Sequence, residues 1–217
     1  MSILLYCVTE KSELPTLGLG VAGLPVLSLE HGQLAALFSQ GASGEVWTGA
    51  PLKESARQFH HVLQGVFESR AIIPFRFPTL LREAEELTVH IRTNSPEYLA
   101  QLARFRTSVQ MDITVARLDP AGASCQTSGS EYLRERQKRS EELDKIAEKL
   151  HAHVNSATKD WRIRPTPHGL KALALLDRDS VALFKTRLQR FRVPPGLSIR
   201  ISGPWPVTEF LELTQRG

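Results

Sequence analysis

The second half of the chain carries a regular succession of strand and helix patterns, and their order limits the folds that it can adopt. Residues 109–115 alternate between apolar and polar side chains, which indicates a strand with one buried face. The other elements predicted here are helices at 129–156 and 180–191 and strands at 160–164, 170–177 and 197–202. The order strand, helix, strand, strand, helix, strand is that of a ferredoxin-like fold (βαββαβ), an antiparallel sheet with both helices on one face.

The first half of the chain indicates a second, small α+β sheet domain. Strands are predicted at 2–9, 26–29, 34–39 and 71–78, and a helix with an apolar stripe is predicted at 52–69. Two helical segments, 80–92 and 96–106, follow, with Asn94 and Ser95 as caps before Pro96. We therefore expect an N-terminal α+β domain at 1–79, a helical connector at 80–108 and the ferredoxin-like domain at 109–217.

The composition is that of an ordinary globular protein, with 41% hydrophobic and 23% charged residues among 217. No run approaches the roughly 18 apolar residues that a membrane helix needs. Residues 1–8 lack the basic start and the small-residue cleavage site of a signal peptide. The two cysteines, Cys7 and Cys125, fit a reducing compartment better than a disulfide framework. We expect a cytoplasmic protein that does not bind membranes.

Positive charge is concentrated toward the C-terminus. From Lys159 onward, eleven Lys and Arg residues stand against five Asp and Glu residues. Such a basic face can attract an acidic partner or serve solubility alone. A nucleic-acid-binding module is the alternative function, because the RNA-recognition motif has the same order of elements. That motif stacks bases on aromatic residues of its central strands, and residues 109–115 and 170–176 contain no Phe, Tyr or Trp.

The sequence lacks the patterns of familiar catalytic and cofactor sites. It has no glycine-rich phosphate loop, no Gly-x-Ser-x-Gly elbow and no spacing of His and Cys typical of zinc. The adjacent His60 and His61 point about 100° apart on a helix, so they cannot share a metal ion. A catalytic group assembled only in three dimensions stays open as an alternative. We predict a protein that is not an enzyme and has no cofactor, metal or small-molecule substrate.

A stiff corner is predicted at residues 202–206, where Trp205 stands between Pro204 and Pro206. Neither proline can donate a backbone hydrogen bond, and Gly203 permits a sharp bend. Trp205 is interpreted either as a plug over one end of the core or as a docking residue, and the two roles are compatible. A second aromatic stretch surrounds Arg76, which is either stacked between Phe75 and Phe77 or a surface charge on an edge strand.

Four stretches together resemble the GvpF/GvpL family of gas vesicle accessory proteins. Residues 59–63 are similar to a family helix with His before Val-Leu, and residues 72–79 to a strand with Pro-x-Arg-Phe-Gly-Thr. Residues 129–133 resemble the family's Gly-x-x-Tyr-Leu helix start. Residues 202–206, with Phe210 after them, resemble its Gly-Pro-Trp-Pro-Pro-Tyr-x-Phe ending. The resemblance runs nearly from end to end.

The chain departs from the family pattern at two places. Pro78 stands where the family has Gly, and Val207 with Thr208 replaces Pro-Tyr. These changes affect the turn after Phe77 and any contact made by the missing tyrosine.

The resemblance implies a protein of the gas vesicle that is not an enzyme and assists gas vesicle assembly. Its implied partners are the hydrophobic shell protein GvpA and other accessory Gvp proteins, without nucleic acid. It also implies an N-terminal α+β domain and a C-terminal ferredoxin-like domain. The candidate partner-binding residues are Phe75, Arg76, Phe77, Tyr132, Trp205 and Phe210.

Overall fold

The computed structural model describes residues 2–12, 18–41, 52–118 and 129–212, except the side chains of 129–133, 135–136 and 139–140. The chain is a mixed α+β protein with two antiparallel sheets, so the predicted class is confirmed. It divides into two compact units, Met1–Thr107 with Pro206–Gly217 and Ser108–Trp205. The domain boundaries expected at 79 and 108 stay a prediction.

The first sheet is built around the N-terminal strand. Its strands are β1 (Ser2–Glu10), β2 (Leu27–His31), β3 (Leu34–Gly41), β4 (Ile72–Pro74) and β5 (Leu80–Leu81). Their order is β2-β3-β1-β4, and β5 also pairs with β1. The predicted turn between β2 and β3 is confirmed, because Gly32 takes a φ of 58° there, which glycine adopts at little cost.

Two helices cover the two faces of this sheet. They are α1 (Leu52–Phe67) and α2 (Ala84–Arg104). Leu5 packs in one core cluster with Ile91 and Leu102 of α2. The neighbouring Tyr6 places its ring 5.0 Å from that of Phe59 on α1. Because successive strand residues point to opposite faces, β1 is buried on both sides, which explains its continuous apolar run.

The prediction of two helices in 80–106 is wrong, because α2 is a single helix with Pro96 inside it. Asn94 and Ser95 do not cap a new helix. The Asn94 side-chain amide donates to the carbonyl oxygen of His90 at 2.8 Å, and the Ser95 hydroxyl donates to that of Ile91 at 2.7 Å. These residues therefore bond back into the preceding turn, as Ser and Asn do inside helices.

The predicted strand at 71–78 is shorter in the structure, and the next one lies where a helix start was expected. Only Ile72–Pro74 forms β4, while Leu80–Leu81 forms β5 against Ile3 and Leu4. Between them, the Thr79 carbonyl accepts a hydrogen bond from the Leu5 amide at 3.0 Å. The apolar side chains predicted one extended strand here. Only Ile72–Pro74 and Leu80–Leu81 pair with β1, however, so the ladder of hydrogen bonds is interrupted between them.

The second sheet contains β6 (Ser108–Arg117), β7 (Asp160–Thr166), β8 (Gly169–Asp177) and β9 (Leu197–Trp205), in the order β7-β8-β6-β9. The helices of this unit are α3 (Gly129–Val154) and α4 (Val181–Gln189). The element order is the one predicted from the sequence. The helices end earlier than expected, since residues 155–157 form a 3-10 turn and Arg190 follows the end of α4.

One face of the second sheet forms an apolar core. Val109, Met111, Ile113 and Val115 of β6 are all fully buried, as their alternation predicts. The apolar stripe of α3, which ends at Val154, and Phe184 and Leu188 of α4 are buried too. The long charged helix thus packs one stripe inward and keeps its remaining described side chains mostly exposed.

The chain returns to the first unit after β9. There the Glu212 carboxylate pairs with Arg104 at 3.0 Å, and the Glu212 backbone forms two 3.5 Å hydrogen bonds with the Gln101 side chain. These contacts connect the C-terminal segment to α2 within the first unit.

Candidate partner-binding surfaces

The aromatic residues on either side of Arg76 turn to different parts of the first unit. The Phe75 ring meets the rings of His90 and Tyr98 edge-on, at centroid distances of 5.8 and 6.4 Å. The Phe77 ring lies 5.2 Å from that of Phe59 on α1. Both phenylalanines are half-buried, so each contributes mainly to packing against a helix.

Arg76 is exposed, which answers the question left open by the sequence. Its two aromatic neighbours are engaged with His90 and Phe59, so the guanidinium is not stacked between them. Its backbone carbonyl accepts a hydrogen bond from the Thr79 hydroxyl at 2.7 Å, which holds the turn. Arg76 therefore presents a positive charge at the edge of the first sheet.

A histidine–tyrosine pair lies beside Phe75 and was missed in the sequence. The His90 Nε2 and Tyr98 Oη atoms are 2.8 Å apart across two turns of α2. Burial lowers the pKa of His90, partly offset by the nearby Glu86 carboxylate. Burial, and to a smaller extent the Glu97 charge, raises the pKa of Tyr98 to about 12. The spacing of eight residues on one helix was the signal available, but a helix break predicted at Asn94 concealed it.

The corner around Trp205 is a bulge at the end of an edge strand. The register between β6 and β9 shifts at this point, so that Gln110 lies opposite Trp205. Gly203 takes a φ of 117°, and a Cβ on it would lie 2.9 Å from the Gln110 carbonyl oxygen. Glycine is therefore required at this position. The Trp205 ring is half-buried, and its Nε1 donates to the Ser202 hydroxyl at 3.4 Å.

The two remaining candidates lie in different settings. Phe210 is 1% exposed and belongs to the buried core. Tyr132 belongs to the first turns of α3, but its side chain lies outside the described residues. Among the candidates whose side chains the structure describes, Arg76 is thus exposed and Trp205 is half-buried.

The second face of the second sheet holds a buried polar chain that the sequence did not reveal. The Gln110 side-chain amide donates to one Asp112 oxygen at 2.9 Å. The other Asp112 oxygen pairs with the Lys171 ammonium at 2.8 Å. Asp112 is 8% exposed, so its charge depends on these two partners. The alternation in β6 predicted a polar face, but not that its centre is buried.

A cleft of about 740 Å³ opens at the end of the first sheet. Two ion pairs contribute to its wall, Lys11 with Glu30 at 2.6 Å and Arg106 with Glu10 at 2.7 Å. Each charge in these pairs is already matched by an opposite one, so the cleft offers no net attraction to an anion or a cation.

The part of the chain that the structure describes offers neither a metal centre nor a membrane-spanning helix. No group of three His, Cys, Asp or Glu side chains there is arranged to hold a metal ion. No helix in those ranges has the length and apolar character needed to cross a bilayer. Cys7 is a free thiol whose pKa burial raises to about 12.

The architecture is that of crystallised gas vesicle proteins. The structure of the gas vesicle protein GvpF from Anabaena sp. PCC7120 matches with a TM-score of 0.79, at 12% identity, over 98% of this chain and 97% of that one. GvpF from Microcystis aeruginosa matches with a TM-score of 0.75, at 15% identity, over 98% and 99% of the two chains. At such low identity these matches show the fold.

The family follows from the sequence. The model of the family described as "Gas vesicle synthesis protein GvpL/GvpF" matches residues 2–212, and this chain therefore belongs to the GvpL/GvpF family. The resemblance noted from the four motifs is confirmed. No curated protein matches the chain. The family is one of gas vesicle accessory proteins and is not a known enzyme family.

Proposed function

We propose that this protein assists gas vesicle assembly by binding the hydrophobic shell protein GvpA, together with other accessory Gvp proteins, without catalysing a reaction. The observation that carries the proposal is the match of the GvpL/GvpF family across residues 2–212. The fold shared with two GvpF proteins supports it. We place the protein in the cytoplasm and at the gas vesicle.

The physical need for such a protein follows from the shell. A shell subunit that borders a gas space carries a strongly apolar face. Burying that face yields about 25 cal/mol per Å² with any partner, so free subunits aggregate. A protein that covers the face reversibly keeps the subunits available for polymerisation.

We propose Arg76 and Trp205 as the contacts most open to a partner among the six candidate residues. Arg76 is exposed and Trp205 is half-buried. An arginine and a tryptophan are the residue types that contribute most to protein interfaces. Phe75, Phe77 and Phe210 support these surfaces by packing, and Tyr132 stays a candidate on α3.

We further propose that Ser108–Trp205 is a ferredoxin-like domain beside an N-terminal α+β domain. The order β7-β8-β6-β9 and the all-antiparallel pairing support this assignment. The element order β6-α3-β7-β8-α4-β9 supports it as well.

Co-expression with the shell protein tests the function. We expect shell protein to become more soluble in the presence of this chain and to co-purify with it at moderate salt. If the shell protein is equally insoluble with and without the chain, and no complex is isolated, the proposal is wrong. Substituting Arg76 by Ala and Trp205 by Ala tests the two contacts, with Arg92→Ala, another exposed arginine of the first unit, as the control.

A further inference from the structure

The strand β9 is an edge whose outer backbone groups point away from its sheet. The hairpin between β7 and β8 closes at Thr166 and Gly169 across a two-residue turn, which fixes a hydrogen-bonded pair there. In an antiparallel sheet, the backbone groups of successive residues point alternately to one neighbouring strand and to the other. Counted from this pair through β8 and β6, the backbone groups of Ser198 and Arg200 point toward β6. Ile199 lies between these two residues and Ile201 follows them, so the backbone groups of Ile199 and Ile201 point outward, away from β6.

Two backbone hydrogen bonds at the ends of the strands agree with this alternation. The Lys159 amide donates to the Leu175 carbonyl at 2.7 Å on the β7 side, and the Leu118 amide donates to the Gly196 carbonyl at 2.8 Å on the β9 side. No strand within the described ranges pairs with the outer side of β9. The amides and carbonyls of Ile199 and Ile201 can thus accept a further strand.

The opposite edge of the same sheet is protected. By the same alternation, the outward positions of β7 are Trp161, Ile163 and Pro165. The Trp161 amide donates to the Asp160 carboxylate at 2.7 Å, and Pro165 has no amide hydrogen. Proline and a charged side chain are common means of blocking an edge strand. Only one of the two edges is therefore open to strand addition.

The part of the chain that contains and precedes the open edge is strongly basic. Residues 181–205, which cover α4 and β9, contain five basic residues and no acidic one; the five are Lys185, Arg187, Arg190, Arg192 and Arg200. Arg190, Arg192 and Arg200 are exposed, and within the described ranges the structure gives none of the five an ion pair. Unneutralised charge of one sign attracts an oppositely charged partner.

The side chains of β9 specify the pattern that a partner strand needs. Ile199 and Ile201 lie opposite Val115 and Ile113, on the apolar face of the sheet. Arg200 lies opposite Thr114, on the other face. A strand added beside β9 would place apolar residues next to the isoleucines and an acidic residue next to Arg200.

We propose that β9 binds an extended segment of a partner protein in which apolar and acidic residues alternate. The segment adds a fifth strand to the second sheet and forms backbone hydrogen bonds with Ile199 and Ile201. Its acidic residues pair with Arg200, and the positive charge of residues 181–205 attracts the segment as a whole. This proposal concerns a protein partner of defined chemistry and does not depend on the binding of GvpA.

A synthetic peptide tests the proposal without any gas vesicle protein. The probe is a fluorescein-labelled, end-blocked heptapeptide that alternates valine and glutamate, measured by anisotropy with the full chain. A peptide that alternates valine and lysine is the first control, and a single-stranded oligonucleotide is the second. We expect the glutamate peptide to bind, and hydrogen exchange to slow at Ile199 and Ile201.

Variants at the two edges distinguish the contribution of backbone hydrogen bonds to binding from the contribution of charge. Ile199→Pro removes an outward amide without removing a bond to β6, so the fold should persist while exchange protection and binding are lost. Arg200→Glu should weaken binding at least about tenfold. The matched variants Ile163→Pro and Arg164→Glu on β7 should leave the affinity within about twofold.

Three results would overturn the proposal. The first is absence of glutamate-peptide binding at millimolar concentration. The second is equal affinity of wild type and Ile199→Pro. The third is binding of the oligonucleotide with the same affinity as the peptide, without slower hydrogen exchange at Ile199 and Ile201. That result would make the surface a general site for anionic polymers.

Discussion

The strands β1 and β6 are both central strands of their sheets, yet they differ in the polar side chains that they bury. Each lies between two antiparallel neighbours. The buried residues of β1 are apolar apart from Ser2 and Thr9, and helices cover both of its faces. In β6, three polar residues are buried, Ser108, Gln110 and the carboxylate-bearing Asp112.

The difference shows what a central strand requires. β1 has no charged side chain among its buried residues, so its stability derives from close packing on both faces. β6 accommodates a buried carboxylate because Gln110 and Lys171 supply a hydrogen bond and an opposite charge. A carboxylate is tolerated at the centre of this sheet because one partner, Gln110, lies on the same strand and the other, Lys171, lies on the neighbouring strand β8.

The largest expected effect tests the apolar side of this comparison. Leu5→Ala removes a side chain that is 1% exposed between β1 and α2, and should cost about 2–5 kcal/mol of unfolding free energy. Leu27→Ala on the edge strand β2 is the control, since Leu27 is 39% exposed and should change stability by about 0.5 kcal/mol or less. Urea unfolding measures both. Equal losses would contradict the assignment of the core.

The polar chain of the second sheet gives the next effect. Asp112→Ala removes one hydrogen bond of the Gln110 amide and the counter-ion of Lys171, and should cost about 1–3 kcal/mol. The double variant Asp112→Leu with Lys171→Met should stay within about 1 kcal/mol of wild type, because apolar residues often replace a buried ion pair without loss. A double variant as unstable as Asp112→Ala would show that the charges themselves are needed.

Trp205 distinguishes packing from docking at the end of β9. Because its ring is half-buried, Trp205→Ala should cost about 1–2 kcal/mol, less than the roughly 3–5 kcal/mol of a fully buried tryptophan. Trp205→Phe should recover most of this loss if packing is its main role. Thermal unfolding and co-purification with shell protein, measured on the same samples, give both readouts. A loss of about 3 kcal/mol or more would show that Trp205 packs as a fully buried tryptophan does, contrary to the half-buried ring.

The smallest expected effect is a pH dependence in the first unit. Burial lowers the pKa of His90 below its value in the unfolded chain, so the unfolded state binds more protons. Stability should therefore fall as the pH drops below the ordinary histidine pKa of about 6.5. His90→Phe should reduce this fall, whereas Leu27→Ala, which removes no titratable group, should not. Unfolding temperatures at pH 7.5 and 5.5 measure the difference, and identical pH slopes would refute it.

Much of the second unit could be predicted because its patterns are local. The alternation in 109–115 and the helical stripe ending at Val154 depend only on which side of an element faces apolar neighbours. Both features are confirmed in β6 and α3. The family resemblance likewise rested on short motifs in a fixed order.

The continuity of α2 and the exposure of the candidate surfaces could not be predicted, because they depend on contacts between residues far apart in the chain. Pro96 stays inside a helix because Leu87, Ile91 and Leu102 on either side are buried against the first sheet, and this packing outweighs the local preference for a break. The edge position of β9 is decided by strand order, and so is the outward direction of its free amides. The sequence by itself determined the family and the element order of the second unit, whereas the tertiary structure decided the elements of 71–106, exposure and strand neighbours, because these arise from residues far apart in the chain.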